Sequence, residues 1–286
     1  MEYALFLMKC RELLREYPFN LYDLAFYDGE RVHHYQHQPA NPANNGYSVT
    51  KMFTMTAIGM LAAAGMLSLT DKITELLGDA LPPVYNRDWD RVTVFDTLAH
   101  KTGLDRGVLD IYGDEPRPSD FLATVLNLPL PHAPGRVYHY TDDAYYLLSR
   151  VVSAVSGEKL LDFLRTRLFN PLAFSEVAWS SCPDGYQLGG DCLYCTTPDM
   201  LKLGILFLQG GAYGGQRFLS EEFVKYATEN SLGMAKCEEK SHGKTGSKGQ
   251  IVAFCPESHR ALAIHAYQIG PYDFRGAAIR ELLEKD

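Results

Sequence analysis

Ser48-Val-Thr-Lys51 sets a hydroxyl and an amine three residues apart. On a helix, positions i and i+3 share a face, so the lysine can reach the serine. If Ser48 opens the helix, its hydroxyl sits at the positive end of the dipole. A lysine on a buried helix is desolvated, which disfavours its charged form. A neutral amine beside a serine can take the hydroxyl proton and make a nucleophile. The spacing recurs at Ser156/Lys159, which reads as a solvated turn at a helix break, and at Ser241/Lys244, which overlaps another motif. Only Ser48 follows a glycine-bearing turn and opens an apolar helix.

Two further motifs carry compatible chemistry. Lys244-Thr245-Gly246, followed by Ser247 and then an extended run, can hold a substrate carboxylate through an ammonium and a hydroxyl on a sheet edge. The glycine lets a ligand approach the backbone, and the amide after it can donate to an oxyanion. Lys101-Thr102-Gly103 has the same letters but follows a helical segment. Tyr140-Thr141-Asp142, after Pro134-Gly135, offers a phenol that can pass protons. Tyr112-Gly-Asp114 repeats that pattern. Other serine routes lack their signatures: there is no Gly-x-Ser-x-Gly elbow, the histidines form no evident triad, and His100 reads as a capping or core residue. Gly210-Gly211-Ala-Tyr-Gly214-Gly215 lacks the Lys-Ser/Thr of a phosphate loop.

The elements that must position these groups follow from periodicity. An amphipathic helix carries Leu7, Cys10, Leu14 and Tyr17. Extended runs at 21–27 and 31–36 flank Asp28-Gly29, a hairpin signal. A helix over 48–67 is apolar on nearly every face and is expected to be buried. Helices are expected over 91–99, 118–126, 142–156, 159–168 and 198–208, the last with Thr197 as N-cap and Gly210-Gly211 as its stop. Strands at 249–255 and 261–268 and a helix over 274–284 close the chain. The fold class is α+β: an antiparallel sheet flanked by helices, formed by 1–47 and 231–286, with 48–230 as a mainly helical inserted region, in one compact two-lobed unit.

The 286 residues carry a net charge of −8, which gives no electrostatic footprint for nucleic acid or anionic membranes. No apolar run reaches the roughly 20 residues of a membrane span. The first ten residues lack a basic start and a cleavage site, so no export signal and a cytoplasmic location are expected. The six cysteines are then expected to be reduced thiols. Cys192-Leu-Tyr-Cys195 lacks the second ligand pair of a zinc site, and no metal or cofactor is expected.

The order Ser-x-x-Lys, Tyr-x-Asp, Lys-Thr-Gly resembles the serine β-lactamase and penicillin-binding-protein superfamily, for which the first and last motifs are signatures. Thr97-Leu-Ala-His100-Lys-Thr-Gly-Leu104 is similar to its Leu-Leu-x-His-x-Ser-Gly-Leu, and Pro134 to Leu148 to its Pro-Gly-x-x-Phe-x-Tyr-Ser-Asn-x-x-Tyr-x-Leu-Leu. Phe169-Asn-Pro-Leu-Ala-Phe174 and residues 193–200 fit as well. The branch looks like class C β-lactamases, D-alanyl-D-alanine carboxypeptidases and related esterases. The resemblance implies Ser48 as nucleophile, Lys51 as its base, Tyr140 as proton relay, Lys244, Thr245 and Gly246 as substrate-binding residues, and the amides of Ser48 and Ser247 as oxyanion hole.

Asp142 departs from the family's asparagine. An ionised carboxylate cannot donate to a substrate carbonyl; it suits a cationic group instead, or a pairing with Lys51 or Lys244. The stretch between Tyr140 and Lys244 is also short for a class C enzyme. Two readings follow. One is an acyl-transfer hydrolase for a small ester, amide or D-amino-acid peptide with a carboxylate. The other is a penicillin-binding sensor or pseudoenzyme that does not turn over.

Overall fold

The computed structural model describes residues 2–16, 19–110, 117–268 and 275–285. Tyr17, the Tyr112/Asp114 pair and Phe274 lie outside the described residues. Among those described, the chain forms two compact units: residues 1–49, 169–178 and 193–286, and residues 50–168 and 179–192. The sequence reading placed the whole of 48–230 in the helical part. The structure assigns 48–49, 169–178 and 193–230 to the first unit instead, where the helix over 197–208 packs on the sheet.

In the first unit, α1 (Tyr3–Glu16), β1 (Leu21–Tyr27) and β2 (Val32–Gln36) lead to the short β3 (Ala43–Asn45) and a 3-10 turn at Tyr47–Val49. The hairpin between β1 and β2 forms because the Asp28 carboxylate accepts from the amides of Glu30 and Arg31 at 2.9 and 2.8 Å.

The second unit begins with α2 (Thr50–Ala63) and continues with α3 (Ile73–Leu77), α4 (Val94–Leu98), α5 (Phe121–Leu126), α6 (Asp142–Ser156) and α7 (Leu160–Leu164). Eleven of the fourteen α2 residues are buried, and α2 packs on α6 and α7. Its all-round apolar sequence dictates this. A Thr93/Asp96 capping box starts α4, and Thr141 caps α6 by accepting from the Ala144 amide at 3.2 Å.

The chain then supplies β4 (Val177–Trp179), β5 (Leu193–Thr196), α8 (Thr197–Leu208), the hairpin β6 (Ala212–Tyr213) and β7 (Gln216–Arg217), α9 (Glu221–Glu229), β8 (Ala235–Lys236), β9 (His242–Thr245), β10 (Ile251–Cys255), β11 (Arg260–Ala266) and α10 (Arg275–Glu281). The cap of α8 is Thr196, one residue earlier than expected, because its hydroxyl accepts from the Asp199 amide.

The main sheet of the first unit has the order β2-β1-β11-β10-β9-β8. One face of β1 and β11, with Leu24, Phe26, Leu262 and Ile264, buries against Phe6, Cys10 and Ile279 of the terminal helices. The other face is small enough for α8 to approach closely: a Cβ on Gly204 would meet Val252 at 3.3 Å and Ala261 at 3.6 Å. His265 and Asp23 are register partners, and Thr197 bridges them by donating to Asp23 Oδ1 at 2.6 Å and meeting His265 Nδ1 at 2.7 Å. The network assigns the imidazole proton to Nδ1. Among the described residues, Nε2 is then buried with no hydrogen-bond partner, and burial pulls the His265 pKa down from 6.5 to about 4.

A histidine held neutral in the folded chain takes up a proton on unfolding at any pH below its ordinary value, so acid favours the unfolded state across that window. Between pH 6.5 and pH 4 the native protein should lose on the order of 3 kcal/mol more stability than His265→Gln, read from urea unfolding at a series of pH values. Parallel losses would show that His265 is not the group responsible.

Candidate active site

In the second unit, Lys51 lies in the first turn of α2 and is wholly buried. Its ammonium donates to the Asp142 carboxylate and, at 2.8 Å, to the Gly190 carbonyl. The rings of Tyr140 and Tyr145 are centred 4.6 and 5.5 Å from Nζ. Asp142 is the first residue of α6, and its backbone N–H donates to Asp110 Oδ1 at 2.8 Å. The segment carrying the Gly190 carbonyl fits here only because it has no side chains. A Cβ at Gly189, where φ is +72°, would lie 2.2 Å from the Tyr145 carbonyl oxygen, and one at Gly190 would lie 2.7 Å from Asp142 Oδ1. Thr54 of α2 holds the same segment by donating to the Gly189 carbonyl at 2.7 Å.

This arrangement sets the charge on Lys51. Burial alone would push its pKa down, as the sequence argument assumed. The adjacent Asp142 carboxylate, with Tyr140, outweighs burial, and the net direction is upward. Lys51 therefore rests as an ammonium rather than a free base. Of the two lysines open to Asp142 in sequence, it is Lys51 that Asp142 meets.

Three more carboxylates belong to this surrounding and were not singled out in sequence. Asp191 is buried, and burial together with the Asp142 charge raises its pKa to about 7, although Lys51 pulls the other way. Burial raises Asp143 to about 6 despite bonds from the amides of Val108 and Leu109. Burial raises Asp110 as well, helped by the Asp142 charge and opposed by the Asp142 amide that bonds to it. Burial thus pushes all three carboxyls upward, while the Lys51 ammonium pulls Asp191 and Asp110 the other way. His100, in left-handed conformation at φ +56°, packs its ring 4.4 Å from that of Tyr140 and accepts from the Thr141 amide at 3.4 Å. It is a buried residue at the end of α4 that orients the tyrosine motif.

In the first unit, Ser48 is the middle residue of the 3-10 turn. That turn is aimed by a non-glycine residue at positive φ, Tyr47 at +46°, whose amide donates to Asn45 Oδ1 at 2.8 Å. The turn packs against β9, so Ser48 and the Lys-Thr-Gly motif are brought together within this unit. Lys244 and Thr245 end β9 and pair with Val252 and Ile251. On its other side β8 pairs only with the first half of the strand, Gly243 with Ala235 and His242 with Lys236. Gly246 is required for close approach: a Cβ there would sit 2.9 Å from the Gly46 carbonyl oxygen, two residues before Ser48, and 2.5 Å from Gln250 Oε1. Ser247 follows in the turn that leads to β10. Among the described residues, no group of three metal-ligating side chains converges.

A helix-flanked antiparallel sheet and a helical unit, carrying Ser-x-x-Lys, Tyr-x-Asp and Lys-Thr-Gly in this order, define the β-lactamase and penicillin-binding-protein-like class of hydrolase fold. The family model for Beta-lactamase matches residues 25–284, and the chain belongs to that family. It is 30% identical over 136 residues to penicillin-binding protein 4 of Amycolatopsis lactamdurans, covering 45% of this chain and 34% of the relative. It is 25% identical over 162 residues to Protein flp of Staphylococcus aureus strain COL, covering 53% of this chain and 32% of the relative. The match thus spans about a third of the length of these curated relatives. A solved D-stereospecific amidohydrolase from Streptomyces sp. shares the fold with a TM-score of 0.74 at 17% identity, covering 100% of both chains. Family and fold support a hydrolase of the serine type in general terms.

Replacing Asp142 with asparagine removes the charge but keeps the shape. NMR titration of the Lys51 ammonium should give a pKa above the ordinary 10.5 in the native protein and a lower one in Asp142→Asn, where the carboxylate no longer opposes burial. Equal values in the two proteins would refute the ion pair as the controlling charge.

Proposed function

We propose that the protein is a serine hydrolase that works through a covalent acyl-enzyme, with Ser48 as nucleophile, on a small ester, amide or D-amino-acid peptide carrying a carboxylate. The observation that carries this reading is the packing of the Ser48 turn against the strand that ends in Lys244 and Thr245. That packing pairs a candidate nucleophile with an ammonium and a hydroxyl suited to a carboxylate. The amides of Ser48 and Ser247 serve as the oxyanion donors, which in such sites typically contribute about a hundredfold or more in rate.

The charge on Lys51 divides the proton-transfer roles. A lysine held as an ammonium by Asp142 is a poor base. Tyr140 then takes the Ser48 proton and returns it to the leaving group, while Lys51 stabilises the negative charge. With its carboxylate committed to Lys51, Asp142 is a positioning residue rather than a partner for a cationic substrate, the role its sequence position also allowed.

The second reading, an acylated sensor without turnover, draws on the same ion pair: a permanently charged Lys51 gives no base of its own to deacylation. Intact-mass measurement after fluorophosphonate treatment, and separately after penicillin, distinguishes them. A single adduct on the native protein and none on Ser48→Ala is expected, and decay of an acyl adduct marks an enzyme. No adduct with either probe on folded protein would contradict both readings. In a hydrolytic assay, Lys244→Ala should reduce the preference for acidic over neutral substrates by about tenfold, the equivalent of one charge-assisted hydrogen bond. An unchanged preference would remove the carboxylate from the proposal.

A further inference from the structure

The first unit contains a cavity, of about 470 Å³, that takes no part in the site above. It lies between the outer strand β2, the loop that follows it, and the start of α8, and neither Ser48 nor Lys244, Thr245 or Ser247 lines it. Its size falls in the range of small-molecule pockets, about 300–1,000 Å³.

The charged groups of its lining are already matched to one another. Asp23 Oδ2 meets His34 Nε2 at 2.6 Å, and Asp23 Oδ1 accepts from Thr197 at 2.6 Å. Asp199 accepts from the Ser175 amide and hydroxyl at 2.8 and 2.7 Å and from Lys202 at 2.7 Å. Lys202 also donates to the Ala173 carbonyl at 2.7 Å. These bonds hold the Asp199 pKa below its ordinary value even though burial opposes them. A charged ligand would have to break one of these pairs and leave its partner uncompensated in a half-enclosed site.

The groups left over are neutral. Among the described residues, Gln36, Asn41 and Tyr22 line the cavity, and their side chains take no part in the ion pairs and hydrogen bonds that hold its charged groups. Each can both donate and accept. Pro42 and Pro198 supply apolar wall between them. Donor–acceptor groups set around small apolar surfaces match a ring that bears hydroxyls at its rim and C–H groups on its faces.

We infer that this cavity is a binding site for a neutral sugar, one pyranose ring or two. The ring hydroxyls bond to Gln36, Asn41 and Tyr22, and its apolar face rests on the prolines. The two ion pairs act as the walls that keep the site shaped and reject charged ligands.

Saturation-transfer NMR with methyl α-glucopyranoside and with maltose, at millimolar concentration, tests this on the whole chain. Transfer to the ring protons is expected. It should weaken about tenfold in Gln36→Ala/Asn41→Ala and by a smaller factor in Asn41→Ala alone, as loss of one or two hydrogen bonds requires. Fluorophosphonate labelling of Ser48 should be unchanged in these variants, because no residue of the catalytic proposal is altered. Succinate and cadaverine, the anionic and cationic controls, should give no transfer. Absence of transfer from both sugars, transfer that persists undiminished in the folded double variant, or stronger transfer from either charged control would overturn the assignment.

Discussion

A buried ammonium must find a negative charge or lose its proton, and the pair between Lys51 and Asp142 is how this chain meets that constraint. Much of the second unit is arranged around the pair. Gly189 and Gly190 lack side chains where the Gly190 carbonyl reaches Nζ, Thr54 anchors that segment, and α6 begins at the residue that supplies the carboxylate. Removing one partner of such a pair typically costs about 3–5 kcal/mol, because the other charge stays buried. The pair also spreads outward electrostatically, since it is the Asp142 charge that helps raise Asp191 and Asp110.

The first unit solves a different problem, that of holding a short turn in a demanding conformation. Tyr47 is kept at positive φ by its bond to Asn45, and the turn that follows is backed by β9. The absence of a Cβ at Gly246 is what allows the end of β9 and the Gly46 carbonyl to approach. Strain of this kind persists where the surroundings over-determine it, and such positions cluster at functional sites.

Much of this was legible in the sequence. The hairpin over β1 and β2 followed from Asp28-Gly29 between extended runs, and α6 starts and ends where the pattern placed it, at Asp142 and Ser156. The three motifs pointed to the residues that the structure gathers within each unit. What could not be read was long-range. Lys51 and Gly190 are 139 residues apart, so no local pattern reveals the carbonyl on the ammonium or the acids around it. The sequence argument for a neutral Lys51 weighed burial alone; the pairing with Asp142 was one of the options open in sequence, and only the structure shows that it forms. The seam between the units was misplaced because α8 looks like its helical neighbours in sequence. Its packing face is decided by small residues on strands that come later in the chain, Val252 and Ala261 opposite Gly204.

The central claim is that a lysine fixed as an ammonium passes the work of proton transfer to Tyr140. The most direct measurement is the single-turnover rate of Ser48 acylation by a chromogenic ester, followed by stopped flow in the native protein and in Tyr140→Phe. The account predicts a loss of about a hundredfold or more in the variant, the usual contribution of a general base. A variant that acylates within about twofold of the native rate would contradict it and return the base to Lys51.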